Sequence, residues 1–115
     1  MDDKKRQHPR IDSDIHVTVR LADGCPTNAG RIRNLSLGGV FIEMEPLAFG
    51  ATMQLVFTLP DGARPLTCTG YVVWSTKVEP KRAAGMDGNG IRLTDISVSD
   101  MRLLSDYVSK HLGDA

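Results

Sequence analysis

The sequence predicts an all-β domain, either a small barrel or a sandwich, followed by one C-terminal helix. Short runs of alternating apolar and polar residues recur along most of the chain, and turn-forming Gly, Pro and Asp residues separate them. After Ser97 the apolar residues change to helical spacing. A length of 115 residues suits a single domain with a modest core. Many short strands in so small a chain are typical of a barrel or a sandwich.

The first strand is predicted to follow a polar arm. Residues 1–14 are polar, are interrupted by Pro9 and show no hydrophobic period. We therefore expect them to form a mobile N-terminal arm, with residues 15–115 forming the folded domain. The alternation that follows is typical of a half-buried strand. Its apolar positions are Ile15, Val17, Val19 and Leu21.

Five more strands are predicted before the helix. In the second strand Ile32 faces inward, while Arg31 and Arg33 face outward. Turn signals such as Pro60-Asp61-Gly62 separate the later strands. The predicted strands cover residues 29–35, 40–44, 53–59 and 66–75, and a loop over 77–89 precedes a short strand at 91–93.

The C-terminal helix is expected over about residues 97–112. Ser97 and Asp100 resemble a capping box, with Asp in place of the usual Glu or Gln. Lys110 and His111 in the last turn favour the helix dipole. The apolar stripe that should face the barrel consists of Met101, Leu103, Leu104, Tyr107, Val108 and Leu112.

Two short polar motifs carry the functional prediction. The arm contains Arg6-Gln7-His8-Pro9-Arg10, and Asn34-Leu35-Ser36-Leu37-Gly38-Gly39 lies between the second and third strands. Arginine grips a phosphate bidentately and stacks on planar rings, and glycines let a ligand approach the backbone. The motifs indicate a clamp for a small anionic ligand with planar rings. The alternatives are solvated arginines on a tail and a turn in which Asn and Ser bond nearby backbone.

The order and spacing of these motifs resemble the signature of the PilZ domain. That family carries Arg-x-x-x-Arg and, roughly two dozen residues later, Asp or Asn-x-Ser-x-x-Gly; here 23 residues separate Arg10 from Asn34. Residues 70–74 and 90–97 also resemble later strands of the family. The resemblance implies a six-stranded antiparallel barrel with a C-terminal helix, and cyclic diguanylate (cyclic di-GMP) as the ligand.

The resemblance also implies a role for each matched residue. Arg6 and Arg10 would grip the ligand, Asn34 and Ser36 would hydrogen-bond guanine or the phosphoribose ring, and Gly39 would keep a side chain out of the ligand's space. Trp74 is expected to pack rather than to bind ligand. The candidate residues at the edge of the site are Lys5, Gln7, Arg31, Arg33, Gly38 and Arg92.

We therefore predict a stand-alone receptor in which ligand binding draws the arm onto the barrel. This changes the exposed surface, and a downstream partner protein then reads the change. The alternative within the family is an adaptor that does not bind nucleotide and acts by protein contact alone.

Composition and spacing argue against several other functions. A formal net charge of zero disfavours RNA or single-stranded DNA binding, which needs a basic stripe with exposed aromatic residues. The histidines and cysteines lack metal-ligand spacing, and no nucleophile or phosphate-loop motif occurs, so we expect no enzyme, cofactor or metal. Without a long apolar run or a signal peptide, we expect no membrane insertion and a cytoplasmic protein. Cys25 and Cys68 are expected to be free thiols.

Overall fold

The computed structural model describes residues 10–22, 27–60, 62, 64–78 and 85–113. For residues 112 and 113 it describes the backbone only. This part of the chain contains six strands and one helix, which occur in the order expected from the sequence. The elements are β1 (Ile11–Leu21), β2 (Asn28–Leu35), β3 (Gly39–Glu43), β4 (Thr52–Phe57), β5 (Leu66–Ser75), β6 (Gly88–Ile96) and α1 (Val98–Gly113).

The six strands form a closed antiparallel barrel in the order β1-β2-β3-β6-β5-β4. β1 closes it by pairing with β2 on one side and β4 on the other. β6 lies between β3 and β5, so the C-terminal part of the chain completes the sheet beside the β2–β3 hairpin. The prediction of a six-stranded antiparallel barrel with a C-terminal helix is confirmed.

Inward-facing aliphatic side chains fill the barrel and continue onto the helix. Val19, Ile32 and Leu55 are fully buried, in agreement with the alternation in the sequence. Leu104 of α1 joins the same cluster, which closes the core with the apolar stripe of the helix. The helix is not long and apolar enough to cross a membrane, and no other helix occurs in the described ranges.

Cys68 is a buried free thiol of this core, as expected. Burial, with a smaller effect of the Asp100 charge, raises the pKa of its thiol to about 11. The thiol is therefore protonated at neutral pH and unreactive. Cys25 lies outside the described residues.

Two strands are longer than the alternation predicts. β1 begins at Ile11, because Ile11 pairs with Leu35 and Asp12 with Asn34. An irregularity between Asp12 and Ile15 shifts the register and interrupts the apolar alternation there, so residues 11–14 belong to the barrel and not to the arm. β6 likewise begins at Gly88, inside the predicted loop.

The helix begins as a half-formed capping box. Ser97 Oγ accepts a hydrogen bond from the Asp100 backbone N–H at 3.1 Å, as the sequence predicts. The Asp100 carboxylate, however, does not complete the box. It accepts hydrogen bonds from the Thr67 N–H at 3.1 Å and from Arg64 Nη1 at 2.6 Å, and so ties α1 to the start of β5. These two donors, in that order, lower the pKa of Asp100.

Candidate ligand-binding face

The turn between β2 and β3 is held by the hydroxyl of Ser36. Ser36 Oγ accepts hydrogen bonds from the backbone N–H groups of Gly38 and Gly39, each at 3.2 Å, and donates to the Gly39 carbonyl at 3.3 Å. The Ser36 N–H donates to the same carbonyl at 2.9 Å. Ser36 is 4% exposed, so its hydroxyl is engaged within the turn. The hydroxyl of Ser36 thus bonds nearby backbone, while a role of Ser36 in ligand binding stays a prediction.

The two glycines of the motif fasten this turn to β6. Gly38 O accepts a hydrogen bond from Leu93 N at 3.0 Å, and Gly39 pairs with Arg92. A Cβ at Gly39 would lie 2.6 Å from the carbonyl oxygen of Ile91. Glycine at position 39 thus permits the close approach of β3 and β6, a structural requirement that the sequence did not reveal.

Arg10 and Asn34 join the two motifs on the outer face of the barrel. Arg10 Nη1 donates a hydrogen bond to Asn34 Oδ1 at 3.3 Å. Asn34 is paired with Asp12 on β1 and with Phe41 on β3, so it stands on the same face as both residues. Arg10 is exposed, which leaves its guanidinium accessible to a ligand. Lys5, Arg6 and Gln7 lie outside the described residues.

Arg31 and Arg33 form an ion-pair network on the outer face of the hairpin. Arg31 Nη1 lies 2.8 Å from Asp14 Oδ1, and Arg33 Nε lies 2.7 Å from Glu43 Oε1. Arg33 also reaches Asp14 at 3.6 Å. The Arg31 hydrogen bond, more than the charges of the two arginines, lowers the pKa of Asp14. Both arginines are thus engaged with carboxylates, which favours a structural role over a ligand-lining one.

Arg92 occupies the far side of the turn. It pairs with Gly39 on β3 and with Tyr71 on β5, it is exposed, and it makes no hydrogen bond or ion pair with another described residue. Continuing the β1–β2 register places Arg10 level with Ser36, on the opposite side of the turn from Arg92. The strand spacing puts these two arginines about 14 Å apart along the sheet.

An aromatic pair borders Asn34 on this face. The rings of Phe41 and Trp74 stack with centroids 5.2 Å apart and an interplanar angle of 11°. Gly90 lies between them in the sheet, and any Cβ at Gly90 would overlap the indole of Trp74. Trp74 therefore packs, as expected. It packs on the outside of the barrel, against Phe41, which is the cross-strand neighbour of Asn34.

The arrangement offers hydrogen-bond donors and positive charge around a rigid turn. No group of His, Cys, Asp or Glu side chains that could hold a metal ion occurs among the residues that the structure describes. The chemistry available to this face is recognition of an anion with a polar ring system, through Arg10, Asn34 and Arg92.

Solved structures with the same fold include PilZ proteins from several bacteria. The Bacillus subtilis inhibitor of motility (MotI/DgrA) has a TM-score of 0.78 and 17% identity, over 95% of this chain and 52% of that chain. This chain therefore spans about half the length of that protein. The PilZ domain of YcgR from Escherichia coli, solved with c-di-GMP, has a TM-score of 0.66 and 18% identity, over 92% and 90% of the two chains.

A third similar structure is the PilZ domain of CeSA from a cellulose-synthesizing bacterium. Its TM-score is 0.65 and its identity 20%, over 89% of this chain and 96% of that chain. At such identities these structures show the shared fold. No curated protein sequence matches the chain. The model of the PilZ domain, by contrast, matches residues 4–110 and so spans both motifs. The chain therefore belongs to the PilZ domain family, whose members are non-catalytic receptors for cyclic di-GMP.

Proposed function

We propose that this chain is a receptor that binds cyclic di-GMP on the outer face of the barrel, at the β2–β3 turn. The hydrogen bond between Arg10 Nη1 and Asn34 Oδ1 carries the proposal, because it brings together two motifs that are far apart in the sequence. The exposed guanidinium of Arg10 remains able to bind a phosphate, and Asn34 keeps its amide N–H groups as donors. Arg6, Lys5 and Gln7 would extend this contact from the arm.

The other matched residues support the site through the backbone. Ser36 fixes the turn by three hydrogen bonds, and Gly39 lets the turn lie against β6. A turn fixed before binding reduces the conformational entropy lost when the ligand binds. Arg92 adds a second positive charge on the other side of the turn, which suits a ligand with two phosphates.

In this proposal the N-terminal arm carries the signal. Ligand binding draws residues 4–9 toward the face that carries Arg10 and Asn34, and this changes the exposed surface of the barrel. A partner protein in the cytoplasm reads that surface. The structures of MrkH from K. pneumonia without ligand and with c-di-GMP, each with about half its length matching this chain, share the fold, which supports only the proposal that a barrel of this kind binds c-di-GMP.

Calorimetric titration tests the proposal directly. The wild-type protein should bind cyclic di-GMP more tightly than the linear dinucleotide or cyclic di-AMP. Arg10→Ala should weaken cyclic di-GMP binding by about 1.5–3 kcal/mol, because it removes a charge-assisted hydrogen bond. Arg20→Ala is the matched control, since Arg20 is an exposed arginine near the other end of β1, paired with Gln54 away from the turn. Equal affinities of the Arg10 and Arg20 variants would contradict the assignment.

One observation favours the alternative of an adaptor that does not bind nucleotide. The hydroxyl of Ser36 is already engaged by Gly38 and Gly39, so the second motif also accounts for a turn without any ligand. The same titration decides between the two functions. Absence of binding by the folded wild-type protein would support the adaptor.

A further inference from the structure

Asp12 is an acidic side chain beside Asn34, on the face that we propose binds an anion. It lies on β1 directly opposite Asn34, and both residues are on the outside of the barrel. Asp12 is exposed, and it makes no hydrogen bond or ion pair with another described residue. On the neighbouring part of the outer face, by contrast, Asp14 and Glu43 are paired with arginines. A free carboxylate in this position calls for an explanation.

No ion pair joins Asp12 to the neighbouring Arg10. Arg10 is two residues before Asp12 and therefore on the same side of the strand, yet its guanidinium donates to Asn34. A carboxylate beside a phosphate costs binding energy through repulsion between like charges. An ionised carboxylate is favourable in such a site only where the ligand presents hydrogen-bond donors.

The Asp12–Asn34 pair matches the donor and acceptor pattern of guanine. Because Asn34 Oδ1 accepts from Arg10, its Nδ2 remains as a donor for the acceptor O6 of a guanine. The two oxygens of Asp12 can accept from the adjacent N1–H and N2–H groups of the same base. Adenine presents an amino donor and a ring acceptor on that edge, so it would meet both Asn34 and Asp12 with the wrong groups.

We propose that Asp12 is a specificity-determining residue that accepts hydrogen bonds from the guanine edge of the bound ligand, next to Asn34. The proposal rests on the proposed function, and it assigns the choice of base to a residue outside both motifs. A site built to hydrogen-bond one partner rejects an analogue that lacks the matching groups, because its own polar groups are then left unpaired.

Calorimetry with cyclic di-GMP and cyclic di-AMP tests this role, because it shows whether neutralising Asp12 weakens or strengthens the binding of each ligand. Asp12→Asn and Asp12→Ala should weaken cyclic di-GMP binding at least tenfold, about 1.4 kcal/mol, and should narrow the preference over cyclic di-AMP. Asp106→Asn, which neutralises an exposed carboxylate on α1, should change affinity less than twofold. The melting temperature without ligand should not change, because the Asp12 side chain makes no hydrogen bond or ion pair with another described residue.

Two results would overturn the proposal. If Asp12 only repels the phosphates, its neutralisation will strengthen binding of both ligands or leave it unchanged. If it acts through the fold, both ligands will weaken equally. A wild-type protein that binds neither ligand would instead refute the proposed function, and the assignment of Asp12 with it. A loss confined to cyclic di-GMP supports the proposal.

Discussion

Replacing Gly39 with alanine would place a Cβ 2.6 Å from the carbonyl oxygen of Ile91. This contact is with the backbone of β6, which is fixed between β3 and β5 and cannot rotate away as a side chain would. Gly39 does not have a positive φ; among the described glycines that conformation occurs at Gly50 and Gly85. The expected cost is therefore steric separation of β3 from β6, and it does not come from a strained backbone angle.

The magnitude follows from the close packing of the sheet. Forcing an extra carbon into a well-packed site typically costs about 1–3 kcal/mol. For a domain of this size we expect a decrease in melting temperature of roughly 4–12 °C without ligand. Thermal unfolding monitored by circular dichroism measures this decrease, and urea unfolding gives the corresponding free energy.

Gly70 provides a matched control for the role of Gly39 in binding. A Cβ at Gly70 would lie 2.6 Å from the carbonyl oxygen of Arg92, so Gly70→Ala perturbs β6 in the same way from the β5 side. Both variants should lose stability, but Gly39→Ala should lose more affinity for cyclic di-GMP, since it also shifts the turn. A melting temperature equal to that of the wild type would refute the packing argument for Gly39. Equal affinities of the two variants would remove Gly39 from the site.

Two further predictions concern the hydrogen bonds by which Asp100 ties the helix to β5, and the N-terminal arm. Because the Thr67 N–H and Arg64 lower the pKa of Asp100 in the folded state, the stability that this carboxylate supplies is present above its unfolded pKa of about 3.9 and is lost as pH falls through the lower folded pKa. In urea titrations, the difference in unfolding free energy between wild type and Asp100→Asn should therefore shrink on acidification below about pH 4. A difference that stays constant with pH would contradict a stabilising role of the Asp100 carboxylate. Hydrogen exchange should show protection of residues 4–9 only with cyclic di-GMP. Equal protection with and without the ligand would refute the proposal that ligand binding draws the arm onto the barrel.

The sequence predicted the strands best where alternation is regular. The strand at residues 66–75 is observed with the same bounds, and the inward residues of β1 from Ile15 onward are buried as expected. Prediction of the start of β1 failed because the irregularity between Asp12 and Ile15 breaks the period of two. Prediction of the start of β6 failed because Gly88-Asn89-Gly90 has the composition of a loop.

Those glycines are needed for packing that only the folded structure reveals. A Cβ at Gly88 would overlap Phe41, and one at Gly90 would overlap Trp74. Asn89 between them is fully buried and holds the β3–β4 loop, since its side chain accepts from Leu47 N at 2.7 Å and donates to Glu45 O at 3.0 Å. A polar residue flanked by glycines thus belongs to a strand for reasons of tertiary contact, which override the local propensity.

For the site, the spacing of the two motifs grouped Arg10 with Asn34, Ser36 and Gly39, but it did not predict the separate role of each residue. Arg10 and Asn34 are joined by a hydrogen bond, whereas the sequence predicts only that ligand binding brings Arg10 beside Asn34. The sequence alone could not show that the carbonyl of Ile91 enforces glycine at position 39, because that constraint comes from a strand more than 50 residues away. The sequence does not reveal Asp12, because the polar residues 1–14 show no strand period, and only the observed register places Asp12 opposite Asn34.

The hydrogen bonds of the turn determine which groups are left for a ligand. Ser36 Oγ uses its donor on the Gly39 carbonyl and accepts from two backbone N–H groups, so recognition through this hydroxyl would break bonds that shape the turn. Asn34 is different, because its oxygen accepts from Arg10 while its amide N–H groups donate to no other described residue and lie beside the carboxylate of Asp12. The turn therefore provides a fixed backbone. The groups that we propose contact the ligand are the side chains of Arg10, Asp12 and Asn34. Under this division, binding depends on Ser36 through the geometry of the turn, and we expect base selectivity to depend on the Asn34 amide N–H groups and the Asp12 carboxylate.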